Sequence, residues 1–246
     1  KKIILIEDSC EAFGSTYKGE FLGTLSDFGT YSFYYSHQIT SGEGGMVVCQ
    51  SKKDYEILLQ LRAHGWTRDL PNRKSVEKKF LSHDKRFLFI NSGFNLRATE
   101  IQAGIANNQL KNFEKKKVIR TFNKNLIHNK LINHKKWNNQ FTIIQESKDV
   151  SPNWFGIPMI INKKLKKNRE VFLEKLQKKG IDNRPIISGN FVKQPSFKLY
   201  KFKNHNYKNT LKNSQIIHER GFFIGVQNKK INNNLANYVV NQLLKI

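Results

Sequence analysis

Along the first half of the chain, short apolar runs alternate with stretches of helical period. That alternation is the signature of an α/β domain with a mostly parallel sheet. Lys2 to Ile6 reads as a strand ending in Glu7-Asp8, and Gly29 to Phe33 and Met46 to Cys49 read as two more. Ser51 to Asp54 has the S-x-x-D form of a capping box, and Tyr55, Leu58, Leu59 and Arg62 then recur at helical spacing until Gly65. A longer helical segment runs from about Arg97 to Asn129, with Ile101, Ile105, Leu110 and Phe113 on or near one side.

After that helix the pattern restarts. Strands are expected around Phe141 to Ile144, Trp154 to Ile161 and Arg184 to Ile187, with a helix from Asn168 to Lys179 stopped by Gly180. A last helix, near Asn232 to Ile246, is expected to bury Leu235, Tyr238, Val239 and Leu243. The reading is therefore two α/β domains, residues 1–118 and 119–246. Because a strand begins at the first residue, the chain is expected to lack its true N-terminus.

With 246 residues the chain is long enough to bury a core. No apolar run approaches the length of a membrane span, and no signal peptide is visible. Two cysteines, Cys10 and Cys49, suit a reducing cytoplasm and cannot form a cysteine-cluster metal site by themselves. The formal charge of +24 raises the question of nucleic acid. Residues 1–110, however, hold 14 basic against 12 acidic side chains, and the excess lies beyond them. A solvated basic face is the leading reading, ahead of attraction of a phosphate-bearing substrate or of a polyanion.

Candidate chemistry begins at Asp8, which directly follows an apolar strand, where open α/β sheets place their ligand crevices. A carboxylate there can pair with a protonated ring nitrogen, although a turn or a helix cap explains the same residue. In residues 29–48, GTYSFYYSHQITSGEGGMVV, a strand delivers Ser32 to its end and His37 follows on a loop closed by Gly42-Glu43-Gly44-Gly45. Ser32 could donate to a phosphate and His37 could exchange protons, or the segment could be a hairpin with a surface histidine. Arg184, with Gly189-Asn190 close behind, suits a nucleotide diphosphate or a surface ion pair equally. His64 reads as a helix C-cap, and Trp66 fits stacking on a base or simple packing. His83, His128, His134, His205 and His218 share no ligand spacing and are read as non-metal.

EDSCEAFG, the S-F-x-x-x-H-x-x-T-x-GEGG pattern, LRAHGW and SGFNLRATEIQAG together resemble the DegT/StrS-type, fold type I pyridoxal-phosphate enzymes that act on nucleotide-linked keto sugars. The resemblance runs over nearly the whole chain. It implies that residues 1–118 are the C-terminal part of a large cofactor-binding domain with a mixed or parallel sheet, and residues 119–246 a smaller α/β domain. The phosphate turn and the residue that stacks on the cofactor ring would lie upstream. Carried over residue by residue, the resemblance puts Asp8 on the pyridine nitrogen and Ser32 near the cofactor phosphate. Asn95 would reach the phosphate bound by the other subunit of a homodimer. Glu11 matches a position near the cofactor often held by glutamine, while Arg184 and Asn190 remain candidates for binding substrate.

The departure is at residue 37, where aminotransferases of this family hold the lysine that tethers the cofactor. An imidazole cannot make that tether. Histidine there is similar to the 3-dehydratases that make 3-deoxy sugars. One kind of these carries an iron–sulfur cluster, for which two cysteines are too few, so the resemblance points to the cluster-free kind. That kind acts on a nucleotide-linked 4-keto-6-deoxy sugar of the GDP-mannose type, using pyridoxamine phosphate renewed by L-glutamate. His37 would take a proton from the 4′-carbon of the cofactor and return one to the departing 3-hydroxyl. An aminotransferase on the same fold is the alternative, and a basic non-catalytic binding protein the more distant one. The resemblance implies a cytoplasmic enzyme of lipopolysaccharide biosynthesis, with no nucleic-acid or membrane partner.

Overall fold

The structure, a computed structural model, describes residues 3–166, 168–200 and 211–246. Lys2, where the first strand was expected to begin, and His205 lie outside them. The chain forms two compact units, residues 1–113 with 148–152 and residues 114–147 with 153–246. A division at 118 would fall inside a helix, Phe113–Ile132. The first residue of that helix belongs with the first unit because the Phe113 ring packs edge-on against Phe13, 5.1 Å between centroids.

In the first unit, β1 (Ile6–Asp8) pairs parallel with β4 (Phe28–Ser32), and β4 pairs antiparallel with β5 (Gly45–Cys49). The described sheet, in the order β1-β4-β5, is mixed and not mostly parallel. The loop between β4 and β5 holds no helix to carry the chain across a face, so β5 returns antiparallel. A second small sheet joins β2 (Thr16–Tyr17) and β3 (Glu20–Phe21) to β7 (Val150–Ser151), which arrives from far along the chain. Helix α1 (Lys52–Arg62) starts where expected, with the Ser51 hydroxyl accepting from the Asp54 amide. It ends at His64 (φ +61) and Gly65 (φ +82), two left-handed residues in succession. A Cβ on Gly65 would lie 1.6 Å from the Asn91 carbonyl oxygen, so only glycine fits. Trp66 is a packing residue: Phe87 and Phe89 stack on it, the Arg68 guanidinium lies 3.5 Å from its centroid, and its Nε1 donates to Arg86 O.

After the short helix α2 (Arg73–Glu77), the long helix expected over 97–129 is two helices, α3 (Glu100–Leu110) and α4 (Phe113–Ile132). Thr99 and Gln102 close a capping box at the start of α3.

The second unit is built on one antiparallel sheet, β6-β8-β10-β9, from β6 (Phe141–Ile143), β8 (Gly156–Ile161), β9 (Asn183–Pro185) and β10 (Gly221–Gly225). Helices α4, α5 (Arg169–Lys178), α6 (Lys212–Arg220) and α7 (Asn233–Leu243) complete it. Leu131, Ile157, Met159, Ile161, Leu176, Phe222, Ile224, Val240 and Leu243 form its core. The buried stripe of α7 is Ala236, Val240 and Leu243 at i, i+4 and i+7, whereas Leu235 and Tyr238, expected inside, are exposed. At helical spacing Leu235 and Tyr238 fall off the side that carries Ala236, Val240 and Leu243.

Candidate active site

Asp8 is the last residue of β1 and Ser32 the last of β4, so two neighbouring parallel strands end with polar side chains at the same edge. Asp8 is exposed. The Cys10 thiol and the Cys10 amide, whose N–H donates to Asp8 Oδ1 over 3.2 Å, hold its carboxyl below the usual range, with help from the Thr30 hydroxyl. In return, burial and the neighbouring carboxylate push the Cys10 thiol up. Asp8 is thus kept as an anion where a cation could approach it.

His37 lies on the loop that follows β4, its side chain only 11% exposed. Its Nδ1 is 3.3 Å from the Ser32 carbonyl oxygen. A carbonyl only accepts, so the hydrogen bond requires the proton on Nδ1 and leaves the lone pair of the neutral ring on Nε2. Nε2 faces Glu11 Oε1 at 4.0 Å. Asp8, Glu11, Ser32 and His37 are therefore brought together, and two of them bear directly on which imidazole nitrogen exchanges protons.

The loop is braced by residues that periodicity could not single out. The Gln38 amide donates to Glu11 O, fastening the residue beside His37 to the segment after β1. Gln109, on α3, clamps Thr40 from both sides: its Oε1 accepts from Thr40 N and its Nε2 donates to Thr40 O. The Thr40 hydroxyl donates to Phe33 O and accepts from Gly42 N. The only sequence signal for Gln109 was its place within the helical segment expected over 97–129.

Asn95 stands apart from these contacts. It is exposed, forms a β-bridge with Ala63, and accepts from Arg97 Nε through Oδ1. Arg184 and Asn190 belong to the second unit. Arg184 is exposed in the middle of β9, opposite Phe223, and Asn190 is buried on the loop that follows. Among the described residues no group of three or more His, Cys, Asp or Glu could hold a metal ion, and no helix is long and apolar enough to cross a membrane.

Residues 1–244 match the model of the DegT/DnrJ/EryC1/StrS aminotransferase family. The chain belongs to that family. Within the DegT/DnrJ/EryC1/StrS family, it is 35% identical over 227 residues to the GDP-4-keto-6-deoxy-D-mannose 3-dehydratase of Escherichia coli O55:H7, a match covering 92% of this chain and 56% of the relative. The enzyme from Yersinia pseudotuberculosis is 33% identical with the same coverage, so the chain spans little more than half the length of these relatives. The fold is shared as well. A GDP-4-keto-6-deoxymannose 3-dehydratase solved with a trapped PLP-glutamate geminal diamine superposes with a TM-score of 0.86 at 32% identity, covering 99% of this chain and 61% of that one. The architecture is thus the α/β fold of the family's PLP-dependent members.

Proposed function

We propose that this chain is the catalytic part of a pyridoxal/pyridoxamine-phosphate-dependent 3-dehydratase, which removes the 3-hydroxyl from a GDP-linked 4-keto-6-deoxy sugar and is recharged by L-glutamate. The observation that carries the reading is His37, fixed by Ser32 O in the tautomer that leaves Nε2 to act as a base. The donor set suits the cofactor: Asp8 is an anion held ready for a pyridinium nitrogen, and Ser32 and Asn95 are neutral donors of the kind phosphate oxygens accept. When bound, the cofactor supplies an amine that condenses with the 4-keto group and a ring that stores an electron pair.

With the cofactor held there, His37 Nε2 would serve as the base toward its 4′-carbon, and the resulting imidazolium would be the acid toward the departing 3-hydroxyl. Glu11, 4.0 Å away, steadies the imidazolium between the two transfers. Asp8 keeps the ring nitrogen protonated throughout. Arg184 meets the diphosphate and Asn190 binds substrate.

The enzyme works as a cytoplasmic homodimer. Support for a second copy comes from α3, which buries none of its residues and exposes Ile101 and Ile105 next to exposed Phe94 and Leu96.

The test is product analysis by mass spectrometry with cofactor, glutamate and GDP-4-keto-6-deoxymannose. Loss of oxygen from the sugar is expected; a gain of nitrogen would make the protein an aminotransferase. Replacing His37→Lys should lower dehydration at least a thousandfold, in line with the loss of a group that serves two proton transfers. Unchanged dehydration, or cofactor fixed to a lysine of the wild-type protein by borohydride, would overturn the assignment.

A further inference from the structure

The loop after β9 holds a buried acceptor whose polarity is set from a distance. Asn190 is 6% exposed. Its Nδ2 donates to Gln215 Oε1 over 3.0 Å, and Gln215 Nε2 donates to Glu219 Oε1 over 2.5 Å, one turn further along α6. Asn190 Oδ1 is buried and has no hydrogen-bond partner among the described residues.

An amide can face either way, but this chain of amides cannot. Glu219 is a carboxylate and only accepts, so Gln215 must turn its NH2 toward it and its oxygen toward Asn190. Asn190 must then turn its own NH2 to Gln215, which leaves Oδ1 as the atom without a donor. The loop is also pressed firmly onto α6. His218 Nδ1 lies 3.0 Å from Ser188 O, Ile187 is left-handed at φ +36, and at Gly189, φ +58, a Cβ would come within 2.5 Å of His218 Cα. A β-branched residue at positive φ is strained, and such strain persists where the surroundings hold a loop in one shape. Buried acceptors left without a donor are rare and costly, and a ligand that brings a donor recovers the cost.

We infer that Glu219 and Gln215 are positioning residues that orient Asn190 to present an acceptor to the substrate, so that Asn190 selects a hydroxyl or a ring N–H and does not bind phosphate. Phosphate oxygens at neutral pH accept and do not donate, which leaves the diphosphate to other groups. This rests on the reading of the substrate as a nucleotide-linked sugar, whose donor sources are the hexose hydroxyls, the ribose hydroxyls and the guanine N–H groups.

The test is calorimetric titration of the full chain with GDP-mannose and with GDP, alongside the melting temperature of each variant. Asn190→Ala should weaken GDP-mannose roughly tenfold, the worth of one such hydrogen bond. GDP binding is unchanged if the donor is a hexose hydroxyl and equally weakened if it belongs to the ribose or the guanine, and either result supports the inference. In Asn190→Asp a carboxylate oxygen would face Gln215 Oε1 while the Gln215 NH2 stays turned to Glu219, so binding should also fall. Adding Glu219→Gln reverses the relay while still offering the ligand an oxygen, and should bring affinity back to about twofold of wild type. The inference is overturned if Asn190→Ala binds both ligands as the wild type does, meaning that the oxygen meets only water. It is equally overturned if the double variant binds no better than Asn190→Asp alone. Wild-type protein that binds neither ligand would remove the nucleotide-sugar reading and this one together.

Discussion

Single carboxylates do much of the ordering around the strand ends. Glu7, beside Asp8 on β1, accepts from Gly23 N at 2.6 Å, Leu25 N at 2.7 Å and the Ser26 hydroxyl at 2.9 Å, tying down the loop that leads into β4. Burial works against its charge, yet these donors outweigh it and hold its carboxyl below the ordinary 4.5. A carboxyl whose folded-state value is depressed contributes stability fully above its unfolded value and loses it as pH falls toward the folded one. Glu7→Gln should therefore cost on the order of 1 kcal/mol near pH 7, given solvent screening. The gap in melting temperature from wild type should narrow as the solution is acidified below about pH 4.5. A gap independent of pH would mean that the charge of Glu7 contributes nothing.

At the scale of elements, helix starts follow from local chemistry and can be tested one at a time. Asn232 accepts from Leu235 N at 2.9 Å and caps α7. Asn232→Ala should cost about 1 kcal/mol by thermal melting, and Asn232→Asp should cost nothing or add stability, since a negative charge favours a helix N-terminus. Equal melting of both variants would remove the cap from the account. Such starts were legible in the sequence because a cap and its partner lie three residues apart, as at Ser51 and Asn168. Partners far along the chain were not. No strand was expected over residues 221–225, yet β10 lies between β8 and β9 in the second sheet. The two-residue strands β2, β3 and β7 have no periodicity to read, and two of them depend on a partner more than a hundred positions away. Around His37, the pattern located Asp8, Ser32 and the histidine, but the Gln109 clamp on Thr40 spans 69 positions and left no local trace.

On the scale of the molecule, the chain leaves the second unit at residue 148, contributes β7 to the first, and returns at residue 153. Both ends of this excursion are fastened to α4. Lys124, 1% exposed, donates to Gln145 Oε1 and Glu146 Oε2 at 2.8 Å each and lies 4.7 Å from the centroid of Trp154, while Arg120 donates to Asn153 Oδ1 at 3.0 Å. Removing one member of a buried ion pair is costly chiefly when the survivor stays buried. Glu146→Ala, which strands the Lys124 charge inside, should thus cost about 3 kcal/mol. Lys124→Met leaves Glu146 partly in water and fills the space with apolar atoms, and should cost about 1 kcal/mol. Denaturant titration would reveal a reversed order, which would mean that the pair matters for its packing alone.

The same excursion decides how the gene can be divided. A single break after residue 113 would give one product ending before β7 and another still carrying it, so the short hairpin of β2 and β3 would lose its third strand. An expression boundary that respects both halves needs the pentapeptide at 148–152 transplanted onto the first, in the manner of a circular permutation.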